Sequence, residues 1–171
     1  CKSFMHDYHE HNLEEFDDNT LYLPYATSLR MGDIGYQNSQ EDEKGVKANY
    51  NSLYNYIHSL RAAMKTSCED FEKIGVKKNG EYQQLNTNIL QIANEYYSSV
   101  RPKPILYAND RPLRALNNNG IGYIEIRSLD INPLLEVGID KQQIEFLEAF
   151  LLFCLLEDSP AISSSELVEI D

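Results

Sequence analysis

The chain's hydrophobic and polar positions follow two periods, one of about two residues and one close to four. The clearest two-residue alternation runs over 121–129, in the stretch GYIEIRSLD (122–130). Successive side chains of a strand point to opposite faces. Ile124 and Ile126 therefore share a face that wants a core, and Tyr123, Glu125 and Arg127 share the other. A second alternation, YLPYATSLRMG (22–32), sets Tyr25, Thr27, Leu29 and Met31 against Ala26, Ser28 and Arg30. Arg30 then has only small neighbours along its own face, which leaves room for a planar anion; the other reading is an edge-strand arginine reaching solvent. The segment 33–40, which contains Tyr36, reads as a loop.

The helical period is strongest over 49–66, where Leu53, Tyr56, Ile57, Leu60 and Met64 form one stripe and Asn51 or Ser52 offers a cap. His58 falls off that stripe and is expected at the surface. Asn79 and Gly80 predict a small hairpin. Residues 88–100 fit either helix or extended chain, and Arg101-Pro102-Lys103-Pro104 is expected to stop any helix. A short helix is predicted over 112–116, followed by a turn at 117–120. The next helix is predicted from about Lys141, with Asp140 as cap and Gln143 three residues on. Its apolar run 149–156 predicts packing on several sides, with Phe146, Phe150 and Phe153 against the back of the 121–129 strand. That run is too short to span a bilayer. The sequence Ser163-Ser164-Ser165-Glu166 reads as the start of a further helix. Residues 1–20 show no sustained period and read as a variable polar loop. The fold class is therefore α+β.

Composition narrows the functional classes. At 171 residues, with 42% apolar and 25% charged residues, the chain can bury the core of one domain. Its net charge of −12 argues against non-specific binding of nucleic acid or an anionic membrane, both of which need a basic surface. An acidic chain can still bind ATP when carboxylates hold divalent cations. Cys1, Cys68 and Cys154 are odd in number and widely spaced, which fits a reducing cytoplasm better than a disulfide framework or a thiolate zinc site. No signal-peptide pattern occurs. The chain opens on Cys rather than Met and closes within a helix-like stretch, so a fragment truncated at both ends is expected. His6, His9 and His11, with Asp7 and Glu10, are metal-ligating types on a segment without a frame to fix them. Glu125 and Arg127 carry two readings, a solvent-facing ion pair or part of a ligand or metal site. No phosphate-loop or nucleophile-elbow motif occurs.

Three stretches carry a resemblance: YLPYATSLRMGDIGYQN (22–38), LQIANEYYSSVRPK (90–103) and GYIEIRSLDINPLLEVGIDKQQIEFLEAF (122–150). In this order, and with SSSEL (163–167), they resemble the gamma-proteobacterial type of glutamate–cysteine ligase. The resemblance covers nearly the whole chain from Tyr22 onward. The family pattern has an acidic residue where Ala93 stands here. The resemblance implies a glutamine-synthetase-like antiparallel sheet with flanking helices, with 21–171 as part of a single catalytic domain. It implies ATP-dependent joining of the glutamate γ-carboxylate to cysteine through a γ-glutamyl phosphate, with Mg²⁺ (or Mn²⁺) on the phosphates. It also implies roles residue by residue: Glu125 as a metal ligand, Arg127 on the γ-phosphate, and Arg30, Tyr36 and Tyr97 at the cysteine site. The family's remaining metal ligands and most of its glutamate pocket precede this stretch, so the isolated chain is expected to be inactive. The alternatives are a carboxylate–amine ligase with another acceptor, or a non-catalytic binding fragment.

Overall fold

A computed structural model describes residues 13–23, 28, 30 and 47–170. The described residues start with a hairpin where a loop is expected. Strand β1 (Glu14–Asp17) pairs antiparallel with β2 (Thr20–Tyr22), and a hydrogen bond from Asn19 N–H to Asp17 Oδ1 closes the turn. Nearly all of these residues are exposed, so no alternation of burial marks the hairpin in the sequence. Most of the 22–32 segment, Tyr36 and the His6, His9 and His11 cluster lie outside the described residues. Arg30 sits at a bend.

Helix α1 (Leu53–Ala63) is the hub of the core. The Ser52 side chain caps it by accepting the Asn55 N–H at 3.0 Å, and the expected stripe buries Tyr56, Ile57 and Leu60, with Ala63 beside them. Ala48, Leu90, Tyr96 and Leu116 close around it, and Leu53, Met64 and Leu113 fill the edge. His58 is exposed and stacks on Tyr54, as its place off the stripe predicts. A short helix, α2 (Glu69–Ile74), follows, and then the predicted hairpin of β3 (Lys77–Lys78) and β4 (Glu81–Tyr82), turning at Asn79 and Gly80. Asn79 and Gly80 both take positive φ, the geometry that favours Asn-Gly there.

Residues 88–100 are mostly irregular chain, with a bridge from Asn88 to Ser67 and one 3₁₀ turn at Ala93–Glu95. The prolines at 102 and 104 do not merely stop a helix. Val100–Lys103 is strand β5, which pairs antiparallel with β6 (Tyr123–Ile126), a shorter strand than the 121–129 expected. Between them lies helix α3 (Pro112–Asn119), which runs through the expected turn and ends at Gly120 (φ 77°). Helix α3 packs on both α1 and β5, and so ties the ribbon to the core. Arg127 N–H donates to Ser99 O at 2.7 Å, which puts the ladder-facing positions of β5 at Ser99, Arg101 and Lys103. Pro102 lies between them, where its missing N–H would point away from β6. On that outward side, the Tyr50 and Ser98 hydroxyls donate to Val100 O at 3.1 and 2.9 Å.

Helix α4 (Lys141–Leu156) starts as predicted, with Asp140 accepting the Gln143 N–H at 2.7 Å. Its packing differs from the expectation. No residue of α4 is buried; Phe146, Phe150 and Phe153 are 65%, 48% and 58% exposed, and Phe146 and Phe150 stack on each other instead. Ile124, expected in a core, is 45% exposed, while Ile126 is half-buried. Ile124 instead lines an open apolar pocket with Tyr50, Leu53, Tyr56 and Ile121, while among the described residues nothing buries α4. None of the described helices is long and apolar enough to cross a membrane. Ser163 and Glu166 cap the last helix, α5 (Ser164–Ile170), reciprocally through backbone N–H bonds. The architecture is α+β, with short antiparallel ribbons and flanking helices.

Candidate functional site

The β5–β6 ribbon sets the site. Directly paired residues of an antiparallel ladder share a face. The pairs Arg101 with Glu125 and Lys103 with Tyr123 therefore place Arg101, Lys103, Tyr123 and Glu125 on one side. Arg127 follows two positions after Glu125. Its Nε donates to Glu125 Oε1 at 2.6 Å, and Lys103 Nζ lies 3.0 Å from Glu125 Oε2. The Lys103 hydrogen bond is the main reason the Glu125 carboxyl is held below the usual glutamate range; partial burial opposes it and Arg127 adds to it. Both carboxylate oxygens thus face a cation, with all three side chains roughly a quarter to a third exposed.

Arg101 takes a different course. Although it is paired with Glu125, it is buried against the core, where Nη2 reaches the Ala93 carbonyl at 3.5 Å and Nε finds no partner among the described residues. It faces the Tyr56 phenol, whose pKa burial raises and Arg101 lowers in part. Arg101 and Lys103 thus start from one face of β5, but Arg101 turns into the core and Lys103 stays on Glu125.

The site continues through Tyr97. Its neighbour Tyr96 is buried, with its hydroxyl accepting the Ala48 N–H at 3.0 Å. Because the backbone is extended there, anchoring Tyr96 inward turns Tyr97 outward. The Arg127 guanidinium carbon lies 5.0 Å from the Tyr97 ring centroid, within cation–π range. The Tyr97 hydroxyl accepts from Arg30 Nε at 3.2 Å. Asp130 Oδ1 then accepts from both the Arg30 N–H and the Ser28 hydroxyl, each at 3.0 Å, which fastens the segment around Arg30 to the chain leaving β6.

Of the residues singled out in the sequence, Glu125, Arg127, Tyr97 and Arg30 come together; Tyr36 lies outside the described residues. Lys103 and Asp130 were missed. Lys103 sat in a stretch read as a helix stop, although strand alternation from Arg101 would have put it on this face. Asp130 ends the GYIEIRSLD stretch itself. Chemically, the row can hold an anion at Arg127 and a second at Arg30, with a carboxylate beside the first. Among the described residues no group of three or more His, Cys, Asp and Glu gathers as a metal cage.

The family model for glutamate–cysteine ligase matches residues 1–171. The chain belongs to the glutamate–cysteine ligase family. It is 56% identical over 151 residues to the glutamate–cysteine ligase of Pseudomonas paraeruginosa, covering 88% of this chain and 28% of that protein. It is 54% identical over 156 residues to that of Pseudomonas entomophila, covering 91% and 29%. It is also similar to the crystal structure of the Francisella tularensis glutamate–cysteine ligase in complex with AMP, with a TM-score of 0.77 and 39% identity over 90% of this chain and 30% of that one. The chain thus spans under a third of the length of these relatives.

Proposed function

We propose that this chain supplies the phosphate-facing and acceptor-facing part of an ATP-dependent ligase that joins the γ-carboxylate of glutamate to the amine of cysteine, the first step of glutathione biosynthesis. The observation that carries this is the unbroken row from Lys103 through Glu125, Arg127 and Tyr97 to Arg30, on a chain 56% identical to a glutamate–cysteine ligase. The AMP bound to the Francisella relative supports a nucleotide as co-substrate. In this reading residues 21–171 belong to the catalytic domain. The reaction runs in the cytoplasm, where ATP and reduced cysteine are both present; neither Cys68 nor Cys154 forms a disulfide.

The γ-phosphoryl group of ATP passes to the glutamate γ-carboxylate, leaving ADP. The cysteine amine then attacks the acyl carbon of the γ-glutamyl phosphate, phosphate leaves, and an amide forms. Charge on the moving phosphoryl group needs a fixed cation nearby. Arg127 meets that need because the Tyr97 ring and Glu125 together hold its guanidinium in one place. Arg30, tied to Tyr97 and Asp130, can grip a carboxylate with two donors and so suits the cysteine carboxylate. Tyr97, together with Tyr36, offers a hydroxyl and a ring face to a small thiol side chain.

Glu125 would give Mg²⁺ or Mn²⁺ one hard oxygen ligand. This fits a small ion that takes one or two carboxylates alongside substrate phosphates. When bound, such an ion neutralises phosphate charge.

The test is a product assay on the ligase that carries this sequence, supplied with ATP, Mg²⁺, glutamate and cysteine. γ-Glutamylcysteine should form only when all four are present, with one phosphate released per amide. Faster turnover with another acceptor amine than with cysteine would overturn the cysteine assignment.

A further inference from the structure

The sequence holds six arginines: Arg30, Arg61, Arg101, Arg111, Arg114 and Arg127. Arg30 and Arg127 belong to the row. The other four border two adjoining hollows where α1, α3 and the 92–94 segment meet. The outer hollow is an open cleft of about 560 Å³. Arg61 reaches it from the end of α1, and Arg111 and Arg114 from the start of α3; all three are exposed. Met64, Ile92 and Leu113 give it apolar walls, and among the described residues no aromatic ring lines it. The inner hollow has about 20 Å³, room for roughly one water. It is bordered by Arg101 and shares Ala93, Asn94, Pro112 and Leu113 with the cleft.

Two independent features call for a negative charge here. Arg101 is 6% exposed, its Nε has no hydrogen-bond partner, and none of the ion pairs among the described residues includes it. An unpaired buried charge is costly, and an anion in the adjoining cleft offsets that cost. The second feature is the start of α3. Arg111 is its N-cap residue, and no side chain caps the helix. Free N–H groups of a first helical turn favour anions, and Pro112, Leu113 and Arg114 of that turn line the cleft. Asp110, 3.7 Å from Arg114, offsets one of the four positive charges. Glu95 turns its carboxylate to the Gln91 and Ile92 N–H groups instead.

The layout also sets the class of anion. The four guanidiniums start from three elements, α1, β5 and α3, so one compact anion cannot serve them all. Planar guanidinium forks match carboxylates, and the walls between them are aliphatic. The size is that of a small-molecule site. We propose that this cleft binds an aliphatic polycarboxylate. Arg61, Arg111 and Arg114 grip its carboxylates, and Arg101 supplies positive charge from beneath. None of the row lines the cleft, although Lys103 borders the inner hollow. The site therefore stands apart from the ligase reading.

The experiment is calorimetry on the full-length ligase that carries this sequence, with tricarballylate and inorganic phosphate as the two probes. Tricarballylate should bind the wild type at one site per chain, and more tightly than phosphate. The double variant Arg61→Gln with Arg111→Gln should bind it about tenfold more weakly or worse, the scale of lost hydrogen bonds between charged groups. Both side chains are exposed, so this variant should melt with the wild type. Arg111→Lys, which keeps the charge and loses the fork, should weaken binding about threefold. Arg127→Ala should bind tricarballylate as the wild type does. Undiminished affinity in the double variant, or loss of binding in Arg127→Ala, would put the anion elsewhere and overturn the site. No binding by the wild type would overturn it too, and would mean that the rest of the ligase fills the cleft. Phosphate binding as tight as that of tricarballylate would overturn the polycarboxylate class.

Discussion

Arg127 lies over the face of Tyr97, 5.0 Å from guanidinium carbon to ring centroid, while the hydroxyl of the same ring faces Arg30. One side chain thus serves two cations through two different chemical groups, and the two can be separated. Tyr97→Phe keeps the face and removes the hydroxyl. It should raise the KM for cysteine about tenfold, the scale of a hydrogen bond to a charged group, with kcat close to wild type. Tyr97→Leu removes the face as well and should also lower kcat. Steady-state kinetics with each substrate varied would check this; equal kcat in the two variants would show that the ring does not hold Arg127.

The two arginines of the row should fail differently. Arg127→Ala should lower kcat by about 10³-fold or more with little change in amino-acid KM, as expected for a charge that acts mainly on the moving phosphoryl group. Arg30→Ala should raise the KM for cysteine and leave the KM for ATP near wild type. The opposite pattern would mean that the phosphate and acceptor ends are reversed.

Glu125 makes the site acid-sensitive. Its pKa is lowered in the fold, chiefly by Lys103, so its ion pairs contribute stability above the ordinary glutamate pKa of about 4.3, and that contribution is lost as pH falls through the lower folded value. Glu125→Gln should therefore melt below wild type at pH 7, and the gap should close as the pH falls below about 4. Melting temperatures of the full-length protein at several pH values would measure this. A gap independent of pH would mean that the carboxylate's charge does not stabilise the fold.

Within the 171-residue chain, stability should reside around α1 and not α4. Leu60 is 1% exposed, and Leu60→Ala should cost about 2–5 kcal/mol. Phe150 is 48% exposed, and Phe150→Ala should cost less than about 1 kcal/mol. Chemical denaturation of the two variants decides between this and a chain in which α4 is part of the core.

The same 171 residues alone should release no cysteine-dependent phosphate from ATP. On the proposed reading Glu125 would be one ligand of a bound Mg²⁺, and among the described residues no further His, Cys, Asp or Glu gathers with it to complete such a site. Turnover by the isolated chain near that of the full-length ligase would show that its own acids complete the metal site.

Some of this was legible in the sequence because local rules and tertiary packing agree. The stripe through Leu53, Tyr56, Ile57 and Leu60 gave α1, and Ser52 and Asp140 marked helix starts that the backbone hydrogen bonds bear out. Alternation placed Glu125 and Arg127 on one face. Their meeting with Arg30 and Tyr97 was not legible from spacing, because it depends on a buried neighbour, Tyr96, turning the next residue outward. The hairpin of β1 and β2 was missed because its EEFD strand is exposed throughout and shows no buried face. Strand β5 was missed because proline was read only as a helix breaker. The α4 run Ala149-Phe150-Leu151-Leu152 says that something apolar must be covered, yet periodicity cannot say by what, and none of the described residues buries it.

Pro102 in β5 and Pro104 just after it have a consequence beyond this ribbon. Pro102 and Pro104 offer no N–H, and the Tyr50 and Ser98 hydroxyls occupy the Val100 carbonyl on the side away from β6. A further strand would find almost nothing to bond to there. Among the described residues, β6 contains no proline and pairs with no second strand. A strand added to this ribbon would therefore have to pair with β6, and Glu125 would then lie between two strands.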